Sequence, residues 1–256
     1  MGILNLTPDS FFDGGRYRDE KMILEKTGQM LKDGATFIDI GAYSSRPGAV
    51  HVPVDEELQR IVPIVDLILK EFPQALLSID TFRAKVANDC LEMGAAMIND
   101  ISAGKMDVDM LPTVANHRVP YIMMHMKGSP QTMQQETSYD DLMKDILFYF
   151  SERVAAARAL KINDIIIDPG FGFAKTTEQN YELLHKLDLF QILELPILAG
   201  LSRKSMIYKV LGTNAQGALN GTTALNMVAL NRGANILRVH DVKEAVECIK
   251  LSQAFL

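Results

Sequence analysis

The chain has 256 residues, 48% hydrophobic and 23% charged, with 17 glycines and 10 prolines; this is ordinary globular usage and excludes disordered, collagen-like and low-complexity classes. Its net charge of −6, from 26 basic and 32 acidic side chains with no basic stripe, argues against a nucleic-acid binder. Cys90 and Cys248 match no metal or disulfide spacing, no apolar run is long enough to span a membrane, and the first residues carry neither signal-peptide nor myristoylation features, so a soluble cytoplasmic chain is expected.

Eight short β-rich runs recur along the chain. They are Gly2–Leu6, Phe37–Gly41, Leu76–Asp80, Ala96–Asp100, Tyr121–His125, Ile165–Pro169, Pro196–Leu201 and Ile236–His240. Most are unbroken apolar stretches, the pattern of strands buried on both faces of a parallel sheet. Helical periodicity fills the intervals. Met22, Ile23, Met30 and Leu31 mark one apolar face, with Lys21, Glu25, Gln29 and Lys32 left for solvent. Val62, Val65, Leu69 and Phe72 mark a second, and Tyr139–Leu160 reads as the longest helix. Strand–helix alternation implies parallel pairing with right-handed crossovers. An open doubly wound sheet and a closed barrel both satisfy it. Eight units, no linker and a length close to the ~250 residues of an eightfold barrel favour the barrel. The expectation is therefore an α/β protein, a single (β/α)8 TIM-barrel domain over 1–256.

Polar groups collect at the C-terminal ends of these runs: Asn5, Asp39, Asp80, Asn99, Asp100, His125, Asp168, Ser202, Arg203, Lys204, Arg238 and His240. In a β/α barrel that end and its loops form the active-site face. Asp39 and Asp100 also suit a plainer role as caps of nearby turns. The loops themselves are rich in Gly, Pro and hydroxyls. Thr7–Gly15 has the character of a lid, and Ala42–Ala49 carries one cation. Asp168–Lys175 alternates glycine with phenylalanine, and Gly200–Ser205 combines two cations with two hydroxyls at a helix start, an anion site. Asp80 and Asp168 opposite an arc of Arg203, Lys204, Arg238 and His240 suit a ligand with a donor-rich planar head and an anionic tail. Zinc is a weaker alternative, because His125 and His240 lack HxxxH or HxH spacing.

These motifs resemble those of the dihydropteroate synthase family. The residues are Met1–Phe11, Ser78–Thr81, Ile98–Asp100, Met124–Met126, Asp168–Phe173, Leu201–Ser205 and Arg238–Asp241, and they run in the family's order over nearly the whole chain. The resemblance implies a folate-pathway transferase that joins the dihydropterin methyl diphosphate to 4-aminobenzoate and releases pyrophosphate. It implies Asp80, Lys204, Arg238 and His240 as catalytic groups. The pterin diphosphate would be held by Ser45, Asp80, Asn99, Asp168, Lys204, Arg238 and His240. The 4-aminobenzoate pocket would be lined by Phe11, Pro47, Phe171, Lys204 and Ser205, a site where sulfonamides compete. Asp13 and Arg46 would take part in loop closure, Asn5 would hold Mg2+ together with the diphosphate oxygens, and the partner would be a second copy in a homodimer contributing late helices. The mechanism implied is dissociative substitution at the pterin methylene, with Asp80 stabilising the cation that forms.

Three features depart from the family pattern. Tyr43 stands where the family commonly has Glu, Ser45 where it has Thr, and Ala174 where it often has Gly. Two neighbouring readings share parts of the motif set. A pterin-binding methyltransferase domain lacks the Ser-Arg-Lys-Ser and Arg-Val-His groups, and a non-catalytic pterin binder would not need Asn5, Asp80, Lys204 and Arg238 intact.

Overall fold

The computed structural model describes residues 1–6, 16–44 and 51–255. All eight expected strands form: β1 (Gly2–Asn5), β2 (Phe37–Gly41), β3 (Leu76–Asp80), β4 (Met97–Asp100), β5 (Tyr121–Met124), β6 (Ile165–Asp168), β7 (Leu198–Ala199) and β8 (Ile236–Leu237). Several are a residue or more shorter than the sequence suggests, with β7 and β8 reduced to two residues each. Strands β1 to β6 pair in parallel in chain order, and β7 pairs with β8. Two isolated parallel bridges complete the ring, Ile167 to Ile197 and Gly2 to Val239, with Ile3 N–H donating to the Val239 carbonyl at 2.9 Å. The sheet closes on itself, so the barrel is the solution the chain adopts.

Nine helices stand among the described residues: α1 (Arg16–Lys32), α2 (Val54–Glu71), α3 (Ala84–Glu92), α4 (Met110–His117), α5 (Leu142–Ala159), α6 (Thr177–His185), α7 (Ser205–Val210), α8 (Leu219–Asn231) and α9 (Val242–Phe255). Local chemistry sets several of their ends. Asp141 accepts from Met143 and Lys144 N–H to start α5, later than the expected Tyr139, and Thr176 with Gln179 forms a capping box on α6. The α1 face is as expected apart from two positions, and α2 is turned slightly from its expected face. The buried stripe of α2 is Glu57, Ile61, Val65 and Ile68, leaving Val62, Leu69 and Phe72 at its edge. On α1, Met22 is exposed and Thr27 is buried between Ile23 and Met30.

Side-chain alternation along the strands separates two cores. Ile38, Ile40, Leu77, Ile79, Ile98, Met123, Ile165, Ile167 and Ala199 point outward and pack beneath the helices in the main core. Met97, Ile122, Ile166 and Leu198, with Met1, Phe37 and Ile236, form a separate cluster that fills the lumen. Above that apolar plug the inward positions turn polar.

A buried ion pair fastens α2 to the start of α3. Arg83 Nη1 donates to Glu57 Oε2 at 2.5 Å, Arg83 Nη2 to the Val52 carbonyl at 2.5 Å, and Thr81 Oγ1 to Glu57 Oε1 at 2.8 Å. Tyr43 packs edge-on to Phe82 at 5.0 Å, with the Arg83 guanidinium 5.1 Å from its ring, and its hydroxyl accepts from Gln131. The tyrosine that replaces the family's glutamate is thus part of a satellite core. Removing one member of a buried pair leaves the other charge unpaired. Arg83→Met is expected to cost about 3–5 kcal/mol in urea unfolding, and Glu57→Met in the same chain to recover most of it.

Candidate active site

Register brings the site together. Asn5 pairs with Gly41, Gly41 with Asp80 and Asp80 with Asn99, so these strand ends stand in one row around the rim. Gly41 leaves room beside Asp80, since a β carbon there would lie 3.4 Å from Asp80 Oδ2. The period of two then decides which polar ends face the lumen. Asn5, Asp39, Asp80, Asn99, Asp168, Arg238 and His240 share the inward parity. Asp100 and His125 have the opposite parity and face the helices. Asp100 is consumed there, accepting from Ser102, Gly104 and the Tyr121 hydroxyl, which is the turn-capping role left open for it.

Arg238 is the centre of the inward set. Its Nε donates to Asp39 Oδ2 and its Nη2 to Asp80 Oδ2, each at 2.6 Å. Asp39, fully buried, also accepts from Ser78 Oγ at 2.6 Å and from Asn99 Nδ2 at 3.2 Å. One carboxylate therefore orients an arginine, an asparagine and a serine. Sequence reasoning placed Asp39 at a strand end but gave it no role in the site; its inward parity was the available signal. Burial, opposed by Arg238 and reinforced by Asp39, pushes the Asp80 carboxyl up to about 7. Burial alone would lower Arg238, but Asp39 and Asp80 more than offset it and hold the guanidinium charged.

Asp168 and Lys204 form the opposite wall. Asp168 is buried, its Oδ1 accepts from Gly170 N–H at 2.8 Å, and burial raises its carboxyl against the pull of Lys204. Lys204 Nζ donates to the Phe171 carbonyl and lies 4.8 Å from the centre of the Phe173 ring. Burial lowers this lysine to about 8, with Asp168 opposing. The Phe171 ring itself is fully buried in the main core, so its carbonyl is what meets Lys204, while the half-buried Phe173 is the ring beside the cation. Ser205 begins α7 next to Lys204.

The arc of cations is smaller than the sequence suggested. Arg203 is committed to Asp241, with Nε and Nη2 each at 2.8 Å from its carboxylate, and to the Ala215 and Gln216 carbonyls. It pins the β7 and β8 loops together and is no longer available to an anion. His240 Nδ1 lies 2.9 Å from Ser202 Oγ, and that oxygen accepts the His240 N–H at 3.1 Å. Ser202 can therefore give its hydroxyl proton to Nδ1, and in that tautomer the neutral ring keeps Nε2–H as a donor without a partner among the described residues. Burial and Arg238 lower His240 to about 4, in agreement.

Phe11, Asp13, Ser45, Arg46 and Pro47 lie outside the described residues. Among the described residues no three His, Cys, Asp or Glu side chains converge as a metal cage. Asn5, at the rim with no hydrogen bond to its amide among those residues, suits an ion that takes one protein oxygen and the rest from phosphate and water. A groove of about 640 Å³ lined by Lys105, Lys127, Glu136, Asp145 and Tyr149 opens on the outward side of β5 and contains none of these paired groups. No helix among the described residues is long and apolar enough to cross a membrane.

Residues 1–240 match the family described as pterin binding enzyme. The chain is 42% identical over 258 residues to a dihydropteroate synthase of Escherichia coli K12, covering 100% of this chain and 91% of the relative. A solved Yersinia pestis dihydropteroate synthase with a sulfonamide drug superposes with a TM-score of 0.93 at 43% identity, covering 100% of this chain and 93% of that one. A Xanthomonas albilineans dihydropteroate synthase in complex with 7,8-dihydropteroate gives a TM-score of 0.89 at 36% identity, with 100% and 92% covered.

The lowered His240 has a consequence for stability. Its ordinary value is 6.5, so between pH 6.5 and about 4 the unfolded chain binds a proton that the folded chain refuses. Stability is present above 6.5 and falls on acidification. Denaturation at pH 7.5 and pH 5 is expected to show wild type losing about 1–2 kcal/mol more than His240→Gln over that interval.

Proposed function

Because the chain belongs to the dihydropteroate synthases, within the pterin-binding enzymes, we propose that it joins (7,8-dihydropterin-6-yl)methyl diphosphate to 4-aminobenzoate, releasing pyrophosphate and forming 7,8-dihydropteroate. The observation that carries this reading is the inward ring at one end of the barrel, where Arg238 is held among Asp39, Asp80 and Asn99, Asp168 and Lys204 form the opposite wall, and His240 shares the rim. A pterin presents two parallel donors, its 2-amino group and N3–H, which the Asp168 carboxylate can accept together. Asn99 can both accept from and donate to the other ring edges, Lys204 can donate to the ring oxygen or N5, and the Arg238 plane can lie against the bicycle.

The reaction needs charge placement more than proton transfer. As the bond from the methylene to diphosphate lengthens, positive charge spreads into the pterin and negative charge onto pyrophosphate. Asp80 lies where its carboxylate can stabilise the first, and Arg238, with Nε2–H of neutral His240, the second. The arylamine of 4-aminobenzoate attacks as a neutral nucleophile, so no strong base is required. Asn5 would hold Mg2+ with the diphosphate oxygens, and that ion supplies further charge neutralisation to the leaving group. Ser205, with Phe11 and Pro47, is assigned to the carboxylate end of the second substrate, and Ser45 to the diphosphate. Lys204 as a cation and neutral His240 as a donor separate this reading from a pterin methyltransferase, whose reaction expels no diphosphate.

A homodimer is supported by apolar side chains left exposed on the late helices, Leu211 after α7, Val228 on α8 and Leu251 on α9. A cytoplasmic setting is supported by Cys90 and Cys248, both buried as free thiols. The expected outcome in a coupled assay is Mg2+-dependent pyrophosphate release that requires 4-aminobenzoate. Asp168→Asn keeps the shape but halves the accepting edge, and kcat/KM for the pterin diphosphate is expected to fall roughly 10–100-fold. Wild-type turnover in that variant would remove Asp168 from the pocket.

A further inference from the structure

The loop that follows β6 has an uncommon backbone, and a buried cation lies beneath it. Gly170, Gly172 and Ala174 have φ of 73°, 80° and 49°, three left-handed residues within five positions, one of them carrying a side chain. A β carbon at Gly170 would stand 2.1 Å from the His125 carbonyl oxygen, so the loop runs hard against the end of β5. At this crossing Lys175 Nζ donates to the Gly170 carbonyl and the Phe173 carbonyl, each at 3.0 Å, and lies 3.0 Å from His125 Nδ1. Lys175 is 4% exposed and His125 2%.

The donor count is complete. An ammonium has three N–H groups, and here three acceptors meet them. Burial lowers Lys175 to about 7, with Asp168 opposing, and in its charged form Nδ1 of His125 is the acceptor, which makes the imidazole neutral with its proton on Nε2. Burial and the Lys175 charge hold His125 well below its ordinary value, as this tautomer requires. None of the three bonds enters the lumen, yet their effects reach it. The same loop donates Gly170 N–H to Asp168 Oδ1 at 2.8 Å, offers the Phe171 carbonyl to Lys204 Nζ, and places the Phe173 ring against that ammonium. Gly172 N–H is tied separately, to Asn180 Oδ1 at 2.6 Å.

We infer that Lys175, with neutral His125 as its third acceptor, is a positioning residue that holds the 168–173 loop in the shape presenting Asp168 and Lys204 to the pterin. The inference rests on the pterin reading of the lumen given above. Lys175 also adds positive charge near Asp168, after Lys204 and Arg238, so its loss weakens the ionised carboxylate as well as the loop.

The test compares full-length wild type with Lys175→Met, His125→Gln and His125→Leu in steady-state kinetics, thermal melting and native-state amide exchange. Glutamine keeps an acceptor for Lys175; leucine does not. In Lys175→Met the KM for the pterin diphosphate is expected to rise roughly ten- to a hundredfold with the KM for 4-aminobenzoate unchanged. Exchange of the Gly170 and Gly172 amides should quicken while amides of β2 to β4 keep wild-type protection. His125→Gln should behave as wild type and His125→Leu should shift in the direction of Lys175→Met, a comparison that serves if Lys175→Met does not fold. An unchanged pterin KM in folded Lys175→Met, or both KM values rising together as the melting temperature falls, overturns the inference. Failure of wild type to turn over the pterin diphosphate would instead count against the dihydropteroate reading. The exchange measurement needs no substrate, and unchanged Gly170 and Gly172 amides would by themselves overturn the role given to Lys175.

Discussion

A guanidinium between two carboxylates at the rim of the barrel organises the site. Arg238 spans Asp39 and Asp80 at 2.6 Å each, and because Asp39 is wholly buried its charge is stable only while the arginine and the neighbouring Asn99 and Ser78 donate to it. The arrangement ties β8 to β2 and β3 from inside the lumen. It also fixes the orientation of the groups assigned to the pterin before any ligand arrives. Such preorganisation is what electrostatic catalysis requires, since dipoles already in place need no reorganisation as charge develops.

The remainder of the site follows from how the loops treat their own cations. Of five basic residues gathered near the C-terminal ends of β6 to β8, Arg203 and Lys175 are spent on the protein: the first on Asp241 and two carbonyls, the second on His125 and two carbonyls. Lys204, Arg238 and the neutral His240 are left facing the lumen. The division is one of geometry. A planar guanidinium at Arg203 can clamp a carboxylate bidentately across two loops, whereas a compact ammonium at Lys175 can gather three acceptors at a point. The substitution Ala174 for a frequent glycine, at φ 49°, sits directly beside that second anchor.

Much of this was legible beforehand. Eight strands, their order and the location of polar groups at one end could all be read from apolar runs and their endings. Assignments at Asp80, Asn99, Asp168, Lys204 and Arg238 came from motif resemblance, and the structure brings these groups together at the lumen rim. The face of α1 is read correctly except at Met22, which is exposed, and Thr27, which is buried, while α2 is turned slightly because Glu57 is buried by partners that the periodicity of apolar residues does not reveal. Glu57 is core only because Arg83 and Thr81 meet it there. Asp100 and His125 were grouped with the site although strand parity turns them away from it.

By itself the sequence determined the number of units, their parallel alternation and the chemical inventory at the strand ends, because these depend on local periodicity and on residue type. Tertiary structure alone decided that the sheet closes, which requires the Gly2–Val239 bridge across nearly the whole chain. It also decided which cations face the lumen. Whether Arg203 binds a ligand or Asp241 depends on a carboxylate 38 residues away, and whether Asp39 caps a turn or holds Arg238 depends on a residue 199 positions distant. Charges choose partners by distance in space, and only the closed barrel sets those distances.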